Sequence, residues 1–320
     1  MTLLSHNRSS FFDLRLKDKL LVGDQPYIVE KAVSGGMGFV LLLRQDHSSP
    51  YHRFSVHGGS IALKTVRPDV ADQASLQLFR RELTVWAGFV HPNIVRLNEI
   101  LDGGKDGWIA AMDWCRESLR DILSEKSSLP LLEASKVIAN MLDGLAYAYQ
   151  QDKVLHLDLK PENILYNGER FVVSDWGIAS IKQPHLNAIA GLPPTSKDAL
   201  LTFNNIGTVF YMAPERFCKG FHSSVASDIF SLGMIYLELL TGKLPHHVGI
   251  HPVESLLSGQ YLGFADELLT RRNIPRSIRH LILSMMAFDP KDRSPSYPDL
   301  RTSLIRAYRS QSGFFSKLLN

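Results

Sequence analysis

Up to about residue 100, apolar residues come in short runs or alternate with polar ones; beyond residue 116 they recur at helical spacing. Tyr27-Ile28-Val29 through Val33, and Phe39-Val40-Leu41-Leu42-Leu43, are separated by a glycine-rich bend, which predicts a hairpin. Ile61-Ala62-Leu63-Lys64-Thr65-Val66 predicts a third strand, and Trp108–Trp114 a buried one. Residues 44–60 are polar, with His, Ser, Pro and paired Gly, and predict a surface loop. Phe79, Leu83 and Trp86 fall at i, i+4 and i+7 with Glu82 beside them, the spacing of a helix. Ile138, Met141, Leu142, Leu145 and Tyr149 form one apolar stripe, whereas Ile229–Leu240 is apolar nearly all round, as in a helix buried on every side. Ser277–Phe288 and Ser303–Tyr308 predict further helices. The expected fold class is α+β, with a small strand-rich lobe followed by a larger helical one.

Composition narrows this picture. With 320 residues, 45% hydrophobic and 21% charged, the chain is ordinary globular material and not a disordered tract. Its net charge, 35 − 32 = +3, is too small for a dedicated nucleic-acid binder. Cys115 and Cys218 cannot build a disulfide framework, so a reducing compartment is expected. The longest apolar run, Ile229–Leu240, contains Glu238 and falls short of the roughly 20 residues that cross a bilayer. The opening residues show no secretory core. A soluble, cytoplasmic protein with neither nucleic acid nor membrane as partner is expected. Charge is uneven: residues 271–320 carry ten Arg or Lys against Asp289, Asp292 and Asp299, hence 10 − 3 = +7, leaving 3 − 7 = −4 elsewhere. A solvated helical face or an acidic partner would each account for that surplus.

Three segments carry chemistry. Val33-Ser34-Gly35-Gly36-Met37-Gly38-Phe39-Val40 lies between two strands, where glycines serve turn geometry or let backbone N–H groups approach phosphate oxygens. No Gly-Lys-Ser/Thr follows, so it is not a Walker sequence. Lys64 lies inside an apolar strand, a costly place unless an acid pairs with it. Glu82 is the available acid; a lysine at the solvent edge is the alternative. The third segment is the most specific: Val154-Leu155-His156-Leu157-Asp158-Leu159-Lys160-Pro161-Glu162-Asn163-Ile164-Leu165, then Val172-Val173-Ser174-Asp175-Trp176-Gly177. Asp158, Asn163 and Asp175 are hard oxygen ligands or bases of the kind that hold Mg2+ and accept a hydroxyl proton. Lys160-Pro161 prevents regular helix, leaving a loop to aim Asp158 and Asn163. Ordinary surface turns would not be flanked by such apolar segments.

In this order the segments resemble the eukaryotic-type (Hanks-type) Ser/Thr protein kinases, and the Gly-Gly-Met-Gly bend looks most like the bacterial members. The resemblance covers residues 25–308. It implies a two-lobed fold with a small β-rich N-lobe at about 25–112, a hinge at 112–116 and a large helical C-lobe at 116–308. Residues 1–24 would be an N-terminal extension and 309–320 a C-terminal tail. The cofactors implied are ATP and Mg2+. In the nucleotide loop, Val33, Ser34, Gly35, Gly36, Met37 and Gly38 are implied to meet the nucleotide, with Gly35 and Gly38 at the family's later two glycines. Lys64 corresponds to the lysine on the α/β-phosphates and Glu82 to its partner. Met112 takes the gatekeeper position, with the backbone of Asp113 and Cys115 toward the adenine edge. Val40, Ala62 and Leu165 complete the implied pocket. Asp158 corresponds to the catalytic base, Lys160 to the phosphate-side lysine, and Asn163 and Asp175 to the Mg2+ ligands. Met212-Ala213-Pro214-Glu215 would close the activation segment, Arg293 would pair with Glu215, and Asp228 would brace the catalytic loop. Lys160 and Gly207-Thr208 resemble Ser/Thr-specific enzymes, so the implied partners are proteins bearing Ser or Thr, with self-association through autophosphorylation. The alternatives are a pseudokinase serving as a binding module and a small-molecule kinase. The set Lys64, Glu82, Asp158, Asn163 and Asp175 weighs against the first, and Met-Ala-Pro-Glu against the second.

Several positions depart from the family. Leu157 replaces the arginine that pairs with a phosphorylated activation-loop residue, so activity independent of that route is expected, with a basic partner elsewhere as the alternative. Val33 stands at the place of the first glycine. Trp176 replaces a phenylalanine; with Trp86 and His156 it either completes a stacked regulatory column or fills core volume. Between Gly177 and Gly207 lie 29 residues, among them Ser180, Thr195, Ser196 and Thr202 as candidate phosphorylation sites. His246, His247 and His251 read as a surface loop before a metal site. The apolar clusters Phe11, Phe12, Leu14, Leu16 and Phe314, Phe315, Leu318, Leu319 are expected to pack on the lobes, with dimer contact or partner docking as alternatives.

Overall fold

The computed structural model describes residues 2–6, 10–23, 25–34, 38–46, 59–66, 79–80, 83–176, 209–218, 223–246 and 250–310. The chain divides into two compact units, one built on residues up to Arg116 together with Trp176, the other on Glu117–Asp175 and the described residues that follow.

In the small unit seven strands form a closed barrel: β1 (Thr2–His6), β2 (Lys19–Val22), β3 (Gln25–Ser34), β4 (Gly38–Gln45), β5 (Ser60–Val66), β7 (Trp108–Asp113) and β6 (Leu97–Asp102), in that spatial order. The expected hairpin is β3–β4, with Val33 opposite Val40. Side chains alternate between faces. Leu41, Leu43, Ile61, Leu63, Ile109 and Ala111 point into the barrel and are wholly buried. Val40 lies opposite Lys64, Lys64 opposite Ala110, and Ala62 opposite Met112. The register therefore gathers Val40, Ala62, Lys64 and Met112 on the other face of the same sheet.

Residues expected as an N-terminal extension belong to this barrel. β1 pairs antiparallel with β2 and parallel with β6, and so closes the sheet. Phe11 and Leu14 are buried in the core, in line with the expected packing, whereas Leu16 is exposed. Buried Asp106 ties the segment down by accepting from Ser10 Oγ at 2.6 Å and from Phe11 N at 2.7 Å. The helical residues 83–87 carry Trp86, whose Nε1 donates to the Val95 carbonyl at 2.8 Å. Trp176 meets Phe89 edge-on, ring centroids 5.3 Å apart. Both tryptophans are buried.

The large unit is helical: α1 (Leu119–Lys126), α2 (Leu131–Asp152), α3 (Val225–Thr241), α4 (Pro252–Ser258), α5 (Tyr261–Arg271), α6 (Arg276–Met285) and α7 (Tyr297–Arg309), with a small sheet β10–β9–β8 of Phe171–Val173, Ile164–Tyr166 and Glu117–Ser118. The predicted stripe on α2 is buried at Ile138, Met141, Leu142 and Leu145. α3 is buried almost throughout and packs against α2, α5 and α6. It ends at Gly242, φ 71°, where an added Cβ would fall 2.5 Å from the Ser127 carbonyl oxygen, so only glycine fits. No helix among the described residues is long and apolar enough to cross a membrane. The basic C-terminal stretch is partly neutralised by acids outside it: Arg271 pairs with Glu267, Arg279 with Asp266, Arg293 with Glu215 and Arg301 with Asp143. The predicted terminal cluster Phe314–Leu319 lies outside the described residues.

Candidate active site

The large unit builds the Asp158 turn on one buried carboxylate. Asp228, in the first turn of α3, is fully buried. It accepts from His156 N at 2.8 Å, Leu157 N at 2.7 Å and Tyr297 Oη at 2.8 Å. Two consecutive N–H groups converge on that anion because Leu157 adopts φ 60°, a left-handed conformation. The buried His156 ring closes the turn from the other side. Its Nε2 lies 2.7 Å from the Ser174 carbonyl, and its Nδ1 accepts from Asp158 N at 3.3 Å. A carbonyl only accepts and an amide N–H only donates, so the ring carries its proton on Nε2. His156 is thus a satisfied core histidine that ties Asp158 to the segment leading to Asp175.

The Asp158 carboxylate, nearly buried, is held by side chains on its own loop. Asn163 Nδ2 donates to its Oδ2 at 3.1 Å and to its backbone carbonyl at 2.8 Å. Lys160 Nζ lies 3.1 Å from the same Oδ2. Burial works to lower the Lys160 ammonium, but Asp158 first, then Glu162 and Asp175, raise its pKa above the ordinary value. Lys160 is therefore a fixed cation at neutral pH. The Asn163 amide nitrogen is committed to Asp158, which leaves its oxygen as the atom to meet a cation. Asp175 is half-exposed and adopts φ 64°, a second strained position on this surface. The structure brings Asn163 and Asp158 together; their oxygens, like those of Asp175, are hard donors of the kind that suit Mg2+ better than a softer metal, and among the described residues no group of three or more His, Cys, Asp or Glu is clustered as a metal site.

Beneath the turn lies an ion network. Arg293 grips Glu215 through two bonds of 2.8 Å, and Ser227 Oγ adds a third to the same carboxylate at 3.0 Å. Arg216, on the Pro214–Phe217 turn, donates Nη1 to the Leu157 carbonyl at 2.5 Å. Burial lowers its guanidinium pKa, against the opposing pull of Asp228, Asp158 and Glu215. Arg120 joins Glu162 at 2.9 Å, Glu238 at 2.7 Å and Tyr211 Oη at 2.7 Å, while Tyr211 donates to Glu238. Arg216, Arg120 and Tyr297 were not singled out by the sequence reading, because their partners lie far along the chain and no spacing marks them.

In the small unit, Gly38 sits close to the lysine strand: an added Cβ would lie 3.3 Å from the Thr65 carbonyl and 3.5 Å from Lys64 Cε. Farther along the same strands, Ala62 and the Met112 opposite it are buried, and Val33 is exposed. Among the described residues, the backbone N–H and C=O of Cys115 take no hydrogen bond. Burial, then the neighbouring Asp113, pushes its thiol up to about 12. Leu165 lies on β9 of the large unit, paired with Val172. Gly35, Gly36, Met37 and Glu82 lie outside the described residues, as do Gly177–Thr208 and His247; Ser34 is described in its backbone alone.

Comparison with known proteins adds a second line. The protein kinase domain model matches residues 51–302. The serine/threonine-protein kinase PknB of Mycobacterium leprae is 29% identical over 300 residues, covering 89% of this chain and 43% of that protein. PrkC of Bacillus subtilis is 28% identical over 251 residues, covering 78% and 36%. PknD of Chlamydia trachomatis is 30% identical over 310 residues, covering 84% and 30%. The chain thus spans less than half the length of each of these relatives. Since the match runs from before Lys64 to beyond Arg293 and takes in the whole Asp158 turn, the chain belongs to the protein kinase domain family.

Proposed function

We propose that this chain is an ATP- and Mg2+-dependent serine/threonine protein kinase with Asp158 as its catalytic base. One observation carries the reading: a nearly buried carboxylate is held in one orientation by Asn163 at 3.1 Å and Lys160 at 3.1 Å, on a turn whose backbone is braced by Asp228. Phosphoryl transfer asks little covalent chemistry of a protein; it asks for alignment and for charge at the phosphates. Asp158 orients the incoming hydroxyl and receives its proton. Lys160 beside it supplies positive charge where the transferred phosphoryl group gains negative charge. Lys64 does the same for the α/β-phosphates. Asn163 and Asp175 would hold Mg2+, which when bound neutralises the phosphate oxygens. Met112, Asp113 and Cys115 meet the adenine, with Val33, Ser34, Gly35, Gly36, Met37, Gly38, Val40, Ala62 and Leu165 around the nucleotide and Glu82 partnering Lys64. The acceptors are Ser and Thr hydroxyls of cytoplasmic proteins, the chain's own included.

The test uses the full chain with γ-labelled ATP, Mg2+ and a Ser/Thr-containing protein. Label should appear on Ser or Thr and vanish when the divalent ion is chelated. Asp158→Ala should fold normally and lose about 10²–10⁴-fold in turnover. Near-normal transfer by that variant would refute the assignment of the base.

A further inference from the structure

The Leu157–Asp158 peptide is gripped at both ends. Its N–H, that of Asp158, meets His156 Nδ1 at 3.3 Å, and its C=O, that of Leu157, accepts from Arg216 Nη1 at 2.5 Å. Leu157 just before it holds φ 60°, which L side chains rarely adopt, so the plane of this peptide is not set by local preference. Something must hold it. The aim of the Asp158 side chain follows from that plane, because the Cα–Cβ bond turns with the backbone.

Arg216 is placed for this task at a cost. It is 6% exposed, and its Nε is buried without an acceptor among the described residues. A buried cation with an unmet donor is unfavourable unless another contact compensates. Its one hydrogen bond from the side chain, among the described residues, goes to the Leu157 carbonyl. The mount is rigid. Arg216 lies in the Pro214–Phe217 turn, with its own N–H on the Ala213 carbonyl at 3.0 Å, next to Glu215, which Arg293 pins. The opposite side of the turn is pinned separately by Asp228.

We propose that Arg216 is a positioning residue for Asp158: its guanidinium clamps the Leu157–Asp158 peptide and thereby fixes the direction of the catalytic carboxylate. The inference rests on the kinase reading above for its consequence in turnover, though not for the clamp itself. The contact is made to a carbonyl, so a lysine that reaches the same oxygen preserves it and a methionine of similar length does not.

The experiment compares the full wild-type chain with Arg216→Met and Arg216→Lys in two readouts. By hydrogen–deuterium exchange, the peptide spanning residues 154–163 should exchange about tenfold faster in Arg216→Met and within about threefold of wild type in Arg216→Lys. In phosphotransfer, Arg216→Met should lose about thirtyfold in kcat with KM for ATP changed less than about threefold, and Arg216→Lys should recover most of kcat. Unchanged exchange and unchanged kcat in folded Arg216→Met overturn the proposal. So does an Arg216→Lys chain that melts normally yet falls as far as Arg216→Met. Should Arg216→Met not fold, Arg216→Lys decides: normal melting with most of kcat retained supports the clamp, and a thirtyfold loss overturns it. A wild-type chain without transfer sinks the kinase reading, and the exchange measurement then decides the clamp on its own.

Discussion

Replacing Arg293 with methionine leaves a buried carboxylate without its counter-ion. The guanidinium side chain is wholly buried and makes five hydrogen bonds: two to Glu215 at 2.8 Å, and one each to the carbonyls of Ala226 at 2.9 Å, Ala287 at 2.7 Å and Phe288 at 3.1 Å. It also lies over the Phe230 ring, 5.0 Å from the centroid. The attraction across 2.8 Å is about 6 kcal/mol at an effective dielectric of 20, most of it offset by desolvation of both charges. Removal of one partner exposes the unpaid desolvation of the other, a loss of about 3–5 kcal/mol. At about 2–4 °C per kcal/mol for a unit of this size, the melting temperature should fall by roughly 6–20 °C. Near-UV circular dichroism during a thermal ramp measures it. The double variant Glu215→Met/Arg293→Met separates the stranded charge from lost packing: it should melt higher than Arg293→Met alone, because neither charge is left buried. A double variant that melts lower than the single one, or an Arg293→Met shift below about 3 °C, would refute this account of the site.

Lys64→Met should fold and lose at least about a hundredfold in kcat/KM for ATP in a transfer assay; near-normal values would remove Lys64 from the phosphate site. Leu157 cannot pair with a phosphate, so phosphatase-treated protein should retain most of its transfer rate, and near-complete loss on treatment would contradict that expectation. With its thiol pushed up to about 12, Cys115 is thiolate at only about one part in ten thousand at pH 8, so iodoacetamide should alkylate exposed Cys218 well before it, as peptide mass mapping would show. His251 caps α4 by accepting from Val253 N at 3.3 Å with Nδ1, and burial lowers its pKa, with Glu254 raising it and His246 lowering it. A lowered folded value means the cap's contribution is present above the ordinary imidazole range and is lost as pH falls through the folded value. Amides in the first turn of α4 should therefore lose protection at about pH 5 relative to pH 8, after correction for intrinsic exchange; equal protection would count against the cap.

What was legible in the sequence is what is local. Asp158, Lys160 and Asn163 lie within six positions of one another, so a loop interrupted by proline already brings them together, and the structure needs only to fix their angles. α3 was visible because burial on every side leaves no polar face to interrupt the run. β6 was missed because only Leu97 and Leu101 of its six residues are buried, which erases the alternation a half-buried strand shows. β1 and β2 were missed because short strands carry too few positions for a period to emerge. The Glu215–Arg293 pair spans 78 positions and was legible through family resemblance alone. Arg216 shows the remaining limit: its partner is a backbone carbonyl, and every residue has one, so nothing in the identity of Leu157 announces the contact.

The first strand of the small unit also protects the molecule from itself. Because β1 bridges β2 and β6, the sheet has no open rim. A chain shortened to begin at Gln25 would free the outer hydrogen-bonding groups of ten-residue β3 and six-residue β6, and would strip Phe11, Leu14, Leu20 and Val22 from the core. Unpaired rims beside exposed apolar side chains are templates for edge-to-edge stacking between chains. The opening residues thus act as a built-in guard against aggregation, and a chain begun at Gln25 would turn a closed sheet into a sticky one.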